Sequence, residues 1–397
     1  MAKNHETLEA ENIVGECLTY MPWVYQGAAV ALTCVSLLES FPNDILIPTL
    51  VCPKALRPIS SSINLKETIP FPLRGYLLWR IAERLRAPLL NTYFSRMIRN
   101  ADPTKTLAYF WPEPSASLVQ LARDRGMITV REMINTVMAY TKPILDEAYE
   151  RLGLPPNHNI TQERIDRELY ELSFYDFIFA PNPWVEKSLV KVGIDPARIL
   201  RSSFGWSPSR YAKSAKEEHR SCFRVLFVGS ICVRKGVPQL LAAWNKSGVK
   251  GELLLAGKVE AALEPLIKSY VDTGSVRTLG YISDVGALYK SADMFVFPTL
   301  EEGGPQVTYE AAGCGLPIIT TPMGMANVIK NGVNGIVVEP YDVDGLADAI
   351  ALLARSMELR TRFAAQAKTD VDQFTYNNVG IERARMLKAL LQARSLR

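Results

Sequence analysis

No run of about 18 apolar residues occurs anywhere in the chain, which excludes a membrane-spanning helix. Its start, Met1–Glu16, is polar and acidic, without the basic segment and apolar segment that a secretory signal needs. Cysteine is sparse. Cys17, Cys34, Cys52, Cys222, Cys232 and Cys314 are scattered and form no C-x-x-C pair, so buried free thiols in a reducing cytoplasm are expected. Histidine is scarcer still: His5, His158 and His219 all fall in polar segments expected to be exposed, and none suits acid–base work. Charge of one sign is also missing. A formal net charge of +4 over 397 residues argues against a dedicated nucleic-acid binder, which would carry a concentrated basic stripe. Internal repeats and low-complexity segments are absent.

What is present reads as ordinary α/β protein. A chain of 397 residues exceeds the usual size of one core, so two domains are expected. Short β-rich runs alternate with helical stretches, the pattern of mostly parallel sheets. In the first half, strands are predicted at 14–19, 45–51, 107–111, 128–131, 177–180 and 199–202. Helices are predicted at 28–40, 76–99, 115–125, 161–173 and 184–192. The stretch Phe204–Tyr211 has turn chemistry without periodicity, and with the polar run Ala212–Ser221 it reads as an interdomain linker. The second half restarts with a strand at 223–228 ending in Gly229. It continues through strands at 252–256, 276–279, 294–298, 317–320 and 335–338, with helices at 237–245, 261–270, 284–291, 305–314 and 345–354. Two doubly wound halves are expected to face each other across a cleft, where the carboxyl ends of such strands bind ligands.

Glu302 and Glu310 stand eight positions apart, about 12 Å along a continuous helix, too far to share one proton or one metal. The turn Gly303-Gly304 followed by Pro305 instead predicts a helix beginning at Pro305, a favoured first position. Its free N–H groups would offer a phosphate site between the two carboxylates. A loop carboxylate and a helix carboxylate flanking a diphosphate match the layout of a sugar nucleotide: hexose hydroxyls, pyrophosphate, ribose hydroxyls.

The stretch Ser291–Thr321, with Glu302-Gly-Gly-Pro-Gln-Val-Thr-Tyr-Glu310 as an E-x7-E element, resembles the signature of family 4 glycosyltransferases of the GT-B fold. The segments Tyr281–Tyr289 and Asn331–Gly335 are similar to the flanking blocks of that family, and Ala180–Leu189 and Phe204–Tyr211 to its interdomain approach. The resemblance covers roughly residues 174–355. It implies two Rossmann-like domains facing each other across a cleft: an acceptor domain over 1–208, joined by a C-terminal helix from about 374, and a donor domain over 215–373. It implies retaining transfer of a sugar from a nucleoside diphosphate, UDP being expected, to the hydroxyl of a glycan, lipid-linked or small-molecule acceptor. Bacterial surface glycan or exopolysaccharide assembly is the expected setting, in the cytoplasm or at the inner face of the membrane.

Donor contacts are expected from Gly229, Ser230, Arg234, Lys235, Tyr281, Glu302, Gly303, Gly304, Pro305, Gln306, Val307 and Glu310, and from Gly27 on the loop Thr19–Gly27. Lys235 matches the family's phosphate lysine. Ser230 stands where an arginine is expected, so Arg234 is the candidate to reach the diphosphate, because cations at a helix start call for an anion. Lys235 and Glu302 carry the electrostatic demand of catalysis. No histidine follows the corresponding strand of the first domain, where Ile128–Asn135 places Arg131 and Glu132 as candidates to position the acceptor. Trp111 is a candidate to stack on a sugar.

The strings Asp342-Val-Asp344 and Asp370-Val-Asp372 read as helix capping and a polar segment, so no metal and no cofactor besides the nucleotide sugar is expected. The stretch Leu73–Arg99, with Arg74, Arg80, Arg84, Arg86, Arg96 and Arg99, reads either as a basic surface docking on anionic lipid or as core helices with a solvated arginine face. A dinucleotide oxidoreductase would need a G-x-G-x-x-G opening that Gly229–Gly236 does not supply. A non-catalytic partner subunit of the same fold and a nucleotide-sugar hydrolase or phosphorylase remain as alternatives.

Overall fold

The computed structural model describes residues 14–70, 79–212, 214, 222–282 and 284–395. His5, His219 and Arg74 fall outside them, as does most of the run 212–221.

The chain forms two sheets, parallel throughout the strand registers described. The first holds β1 (Gly15–Tyr20), β2 (Leu46–Cys52), β3 (Asn64–Glu67), β4 (Thr106–Phe110), β5 (Ile128–Glu132), β6 (Phe177–Ala180) and β7 (Ile199–Arg201), in the order β3-β2-β1-β4-β5-β6-β7. The second holds β8 (Phe223–Val228), β9 (Gly251–Ala256), β10 (Val276–Gly280), β11 (Met294–Phe297), β12 (Ile318–Thr320) and β13 (Ile336–Val337), in the order β10-β9-β8-β11-β12-β13. Central strands such as β4 and β11 are buried at every position, as parallel strands covered on both faces must be. Edge strand β3, Asn-Leu-Lys-Glu, lacks that apolar run and was not predicted.

Two compact units result. One gathers Met1–Arg131, Phe174–Asp176 and Gly380–Arg397; the other gathers Glu132–Ser173 and Phe177–Val379. In the first, helix Tyr376–Ser395 contributes Gly380, where an added Cβ would lie 2.7 Å from the carbonyl oxygen of Leu37. It also contributes the buried Arg383, which donates to the Tyr109 hydroxyl at 3.0 Å.

Two predicted features differ in the second unit. Phe204–Tyr211 is not a free connection. It includes the short helix Pro208–Ala212, and Trp206 is buried, donating its indole N–H to the Val371 carbonyl at 3.1 Å. Two helices escaped the sequence reading. Met138–Glu150 carries Pro143, a helix breaker by propensity, in its interior, and Met357–Asp370 buries only Phe363 and Ala367, too few for a clean apolar stripe. His158 is also not exposed as expected: its Nε2 lies 2.8 Å from Asp146 and its ring packs beside Tyr149. All six cysteines are free, with Cys17, Cys34 and Cys52 buried and the Cys17 thiol pushed up to about 12 by burial.

Gly236 and Gly248 bracket helix Val237–Ser247, both in the left-handed region at φ 67° and 65°. An added Cβ at Gly236 would sit 1.9 Å from the Pro298 carbonyl oxygen, whereas at Gly248 it meets nothing within 4 Å. Gly248→Ala should therefore cost about 1 kcal/mol from backbone strain alone. Gly236→Ala should cost roughly 3 kcal/mol or more, because backbone must move as well. Thermal unfolding of the two variants measures the difference, and equal midpoints would contradict the close approach.

Candidate functional site

The carboxyl ends of β8, β9 and β11 carry the residues that the sequence singled out in the second unit. Gly229 follows β8 at φ 142°, and its carbonyl oxygen lies where a Cβ on Gly257, after β9, would approach to 1.8 Å. Backbone therefore meets backbone, and Ile231 N–H donates to Lys258 at 2.9 Å while Glu260 N–H donates to Ile231 at 2.9 Å. A single 3-10 turn, Val233–Lys235, comes next. Its first N–H donates to Glu260 at 3.1 Å, and the other oxygen of that carboxylate accepts from Tyr149 and, at 2.9 Å, from Asn157. This anchoring fixes where Arg234 and Lys235 point.

Lys235 is buried and pairs with the buried carboxylate of Glu302, its ammonium also 5.4 Å from the centre of the Phe297 ring. Glu302 additionally accepts from the Thr299 hydroxyl at 3.2 Å. Burial pulls the Lys235 pKa below the usual lysine value, with Arg234 adding to that pull and Glu302 opposing it. Arg234, the expected diphosphate contact, is held here by Glu301. It donates to Glu301 Oε2 at 3.1 Å and to the Glu301 carbonyl at 3.3 Å. Burial works against its charge, but Glu301 and Glu302 outweigh it and hold the guanidinium protonated. The second oxygen of Glu301 accepts from Thr136 N–H at 3.1 Å and from the Thr136 hydroxyl at 2.8 Å. Glu301, only 2% exposed, was missed by the sequence reading. Its signal was there: the doublet Glu301-Glu302 faces the doublet Arg234-Lys235.

The glycines of the segment Glu302–Glu310 serve close packing. A Cβ on Gly303 would lie 1.8 Å from the Ile134 carbonyl oxygen, and one on Gly304 would lie 2.2 Å from the Phe204 ring. Asn182 caps helix Pro183–Lys191 with its oxygen, and its amide donates to Glu302 O at 3.2 Å and Gly303 O at 2.7 Å. Pro305 is the residue before helix Gln306–Gly313 rather than its first, because its ψ of 83° lies outside the helical range. No side chain caps that helix start, which leaves N–H groups open to an anion. Gln306 bonds to the Tyr376 hydroxyl, and Val307 is half-buried. Glu310 accepts from the Tyr289 hydroxyl at 3.1 Å and is also bonded to Tyr211. These two tyrosines were not expected at the site, and burial together with Glu310 raises both their pKa values.

The remaining candidates are dispersed. Ser230 is exposed beside Gly229, and Tyr281 is 83% exposed after β10. Glu132, in the second unit, is fully buried at the end of β5. Arg131 and Gly27 belong to the first unit. The Arg131 guanidinium is buried, 5.7 Å from the Tyr175 ring centre, and Gly27 adopts φ 76° beside Arg57. Trp111 is fully buried and packs on Tyr109, so it offers no face for a sugar. Asp342 caps helix Val343–Arg355 through Gly345 N–H at 2.8 Å, and Asp370 accepts from Asn334 and Gln366.

Residues 222–356 match the family model described as Glycosyl transferases group 1. A Campylobacter jejuni N,N'-diacetylbacillosaminyl-diphospho-undecaprenol alpha-1,3-N-acetylgalactosaminyltransferase is 27% identical over 154 residues, 38% of this chain and 41% of the relative. The capsular polysaccharide biosynthesis glycosyltransferase CapM of Staphylococcus aureus is 28% identical over 157 residues, with the same coverages of 38% and 41%. The match thus spans less than half the length of these curated relatives. Among solved structures, Anabaena HepE in complex with UDP and glucose superposes with a TM-score of 0.66 at 14% identity, covering 94% of this chain and 100% of that one. At that identity the likeness is one of fold. The family match covers residues 222–356 and not the rest of the chain, while the two parallel sheets share the fold of solved GT-B structures.

Proposed function

We propose that the protein transfers a sugar from a nucleoside diphosphate to a hydroxyl of a glycan or lipid-linked acceptor, with retention of configuration. The observation that carries this reading is the buried Lys235–Glu302 pair beside an uncapped helix start. A buried ammonium whose only acidic partner in that pair is a carboxylate can exchange it for a phosphate oxygen. Lys235 and the N–H groups at Gln306 and Val307 then neutralise the charge that develops on the leaving diphosphate. Glu302, released from Lys235, becomes an acceptor for sugar hydroxyls, while Glu310, held by Tyr289, is positioned for the ribose end. Binding energy from the nucleotide orients the reacting carbon. UDP is the proposed nucleotide, supported by the HepE structure with UDP and glucose. A surface-glycan setting is supported by the named activities of the Campylobacter and Staphylococcus relatives.

Ligand stabilisation scales with the logarithm of ligand concentration over Kd, about 2.7 kcal/mol at a hundredfold excess. UDP-sugars should therefore raise the melting midpoint of the protein, and GDP- and ADP-sugars should do so less. A midpoint unmoved by every nucleotide sugar would refute donor binding. Lys235→Ala and Glu302→Gln should each reduce product formation by roughly 10²–10³-fold, the scale of losing one preorganised electrostatic contact. The same assay should be unaffected by EDTA, and NMR of the product should show the donor's anomeric configuration. Full turnover in both variants would instead assign the pair a structural role.

A peripheral membrane contact is proposed as well. Among the described residues no helix is long and apolar enough to cross a membrane. Helix Trp79–Asn100 buries Leu90, Phe94 and Ile98, four residues apart, while Arg84, Arg96 and Arg99 are exposed together with Leu85 and Tyr93. The helix therefore has both a core stripe and a basic outer face. Vesicles with anionic lipid should co-sediment the protein in a salt-sensitive way, and charge reversal at Arg84 and Arg96 should weaken that binding; sedimentation equal to that with neutral vesicles would remove the contact.

A further inference from the structure

A cavity of about 190 Å³ lies within the second unit, lined among others by Thr136, Tyr140, Trp184, Glu301, Met323 and Glu339. Its walls come from segments that leave the carboxyl ends of strands: Thr136 and Tyr140 follow β5, Trp184 follows β6, Glu301 follows β11, Met323 follows β12 and Glu339 follows β13. Ligands of open parallel sheets collect at those ends. The volume is below the roughly 300–1,000 Å³ of a site for a drug-sized molecule, so it suits one ring rather than an extended ligand.

The lining chemistry narrows what that ring is. Its charged members are two carboxylates, and no lysine or arginine lines the cavity, which disfavours phosphate and other anions. Trp184 and Tyr140 supply aromatic surface. Each ring carries one ammonium nearby, Lys187 at 4.5 Å and Lys191 at 5.1 Å. The Trp184 indole N–H is already committed to the Pro322 carbonyl at 2.9 Å, which fixes the ring in place. Glu339 is exposed at the rim. With Glu301 and Thr136 bonded to each other, the Tyr140 hydroxyl and the rim carboxylate of Glu339 are the polar groups offered beside this aromatic surface, a set that complements a pyranose, with its apolar C–H face and hydroxyl donors at its edge. Glu301 forms part of the cavity wall and pairs with Arg234, next to Lys235, so the cavity adjoins the donor loop.

We infer that this cavity is a subsite for a single neutral pyranose ring, the acceptor sugar that lies next to the donor. The inference rests on the glycosyl-transfer reading, and the two can fail separately. The test is saturation-transfer NMR on the full chain with methyl glucoside, methyl galactoside and methyl N-acetylglucosaminide, each with UDP present. Ring-proton transfer is expected from at least one glycoside. It should be lost in Met323→Trp, which fills the cavity, and weakened about tenfold in affinity in Tyr140→Leu, on the scale of one lost aromatic contact. Both variants should keep the thermal shift with UDP that the unaltered protein shows. Transfer from no glycoside, or transfer unchanged in both variants, overturns the subsite. Loss of the UDP shift in the unaltered protein would count against the donor reading, while the glycoside signals still decide the cavity.

Discussion

Arg234 and Lys235, adjacent in sequence, meet Glu301 and Glu302, also adjacent, at the point where the loops after β8 and β11 come together. Both carboxylates and the lysine are largely withdrawn from water. Such pairs contribute little net stability, because desolvation offsets most of their attraction, but removing one partner strands the other at a cost of about 3–5 kcal/mol. The four groups are therefore interdependent. Each loop conformation is tolerable only while the other supplies its counter-charges. The surrounding contacts follow from this requirement: Glu260 holds the start of the 3-10 turn, Thr136 holds Glu301, and Asn182 holds the backbone at Glu302 and Gly303.

The two pairs differ in what they could exchange. Glu301 uses both oxygens, one for Arg234 and one for the backbone and hydroxyl of Thr136. An anion replacing it at Arg234 would leave a buried carboxylate without its cation, the costly outcome. Glu302 is held by Lys235 and by one threonine hydroxyl. A diphosphate at Lys235 would leave Glu302 free to accept from a sugar, which supplies the lost donor. On the proposed donor binding, Arg234 would thus belong to the framework and Lys235 to the exchangeable part.

This distinction explains how far the sequence could be read. The strands were legible because buried parallel strands are written as short apolar runs, as in Met294–Phe297, and the segment Glu302–Glu310 stood out because Gly303, Gly304 and Pro305 punctuate it between two carboxylates. Glu301 and Thr136 were not legible. Their partnership spans 165 positions, and nothing local at Thr136 announces it. The same is true of Tyr149 on Glu260 and of Tyr289 on Glu310, where an aromatic residue shows no polar partner until its hydroxyl is placed. The partner of Arg234 was illegible for a related reason: a cation beside a helix start suggests an external anion, and here the protein itself supplies one, Glu301. Trp111 failed because a tryptophan at a strand end is as easily buried as presented.

Ser230, where the family resemblance leads one to expect an arginine, then poses an electrostatic question that the fold itself answers in part. With Arg234 bound to Glu301, Lys235 is the one full positive charge of this doublet left for exchange. Helix Val237–Ser247 begins after Gly236 and helix Gln306–Gly313 after Pro305, both without a side-chain cap. The first opens directly after Lys235 and the second four residues after Glu302, so both starts lie next to the exchangeable pair in sequence. Each uncapped start presents the positive end of a helix, worth about 0.3–1 kcal/mol toward an anion at the surface and up to roughly 2 kcal/mol when partly buried. Their partial charges are fixed by backbone geometry, which the close approaches at Gly236 and Gly303 enforce. A missing arginine can thus be tolerated where the backbone itself carries a share of the positive potential.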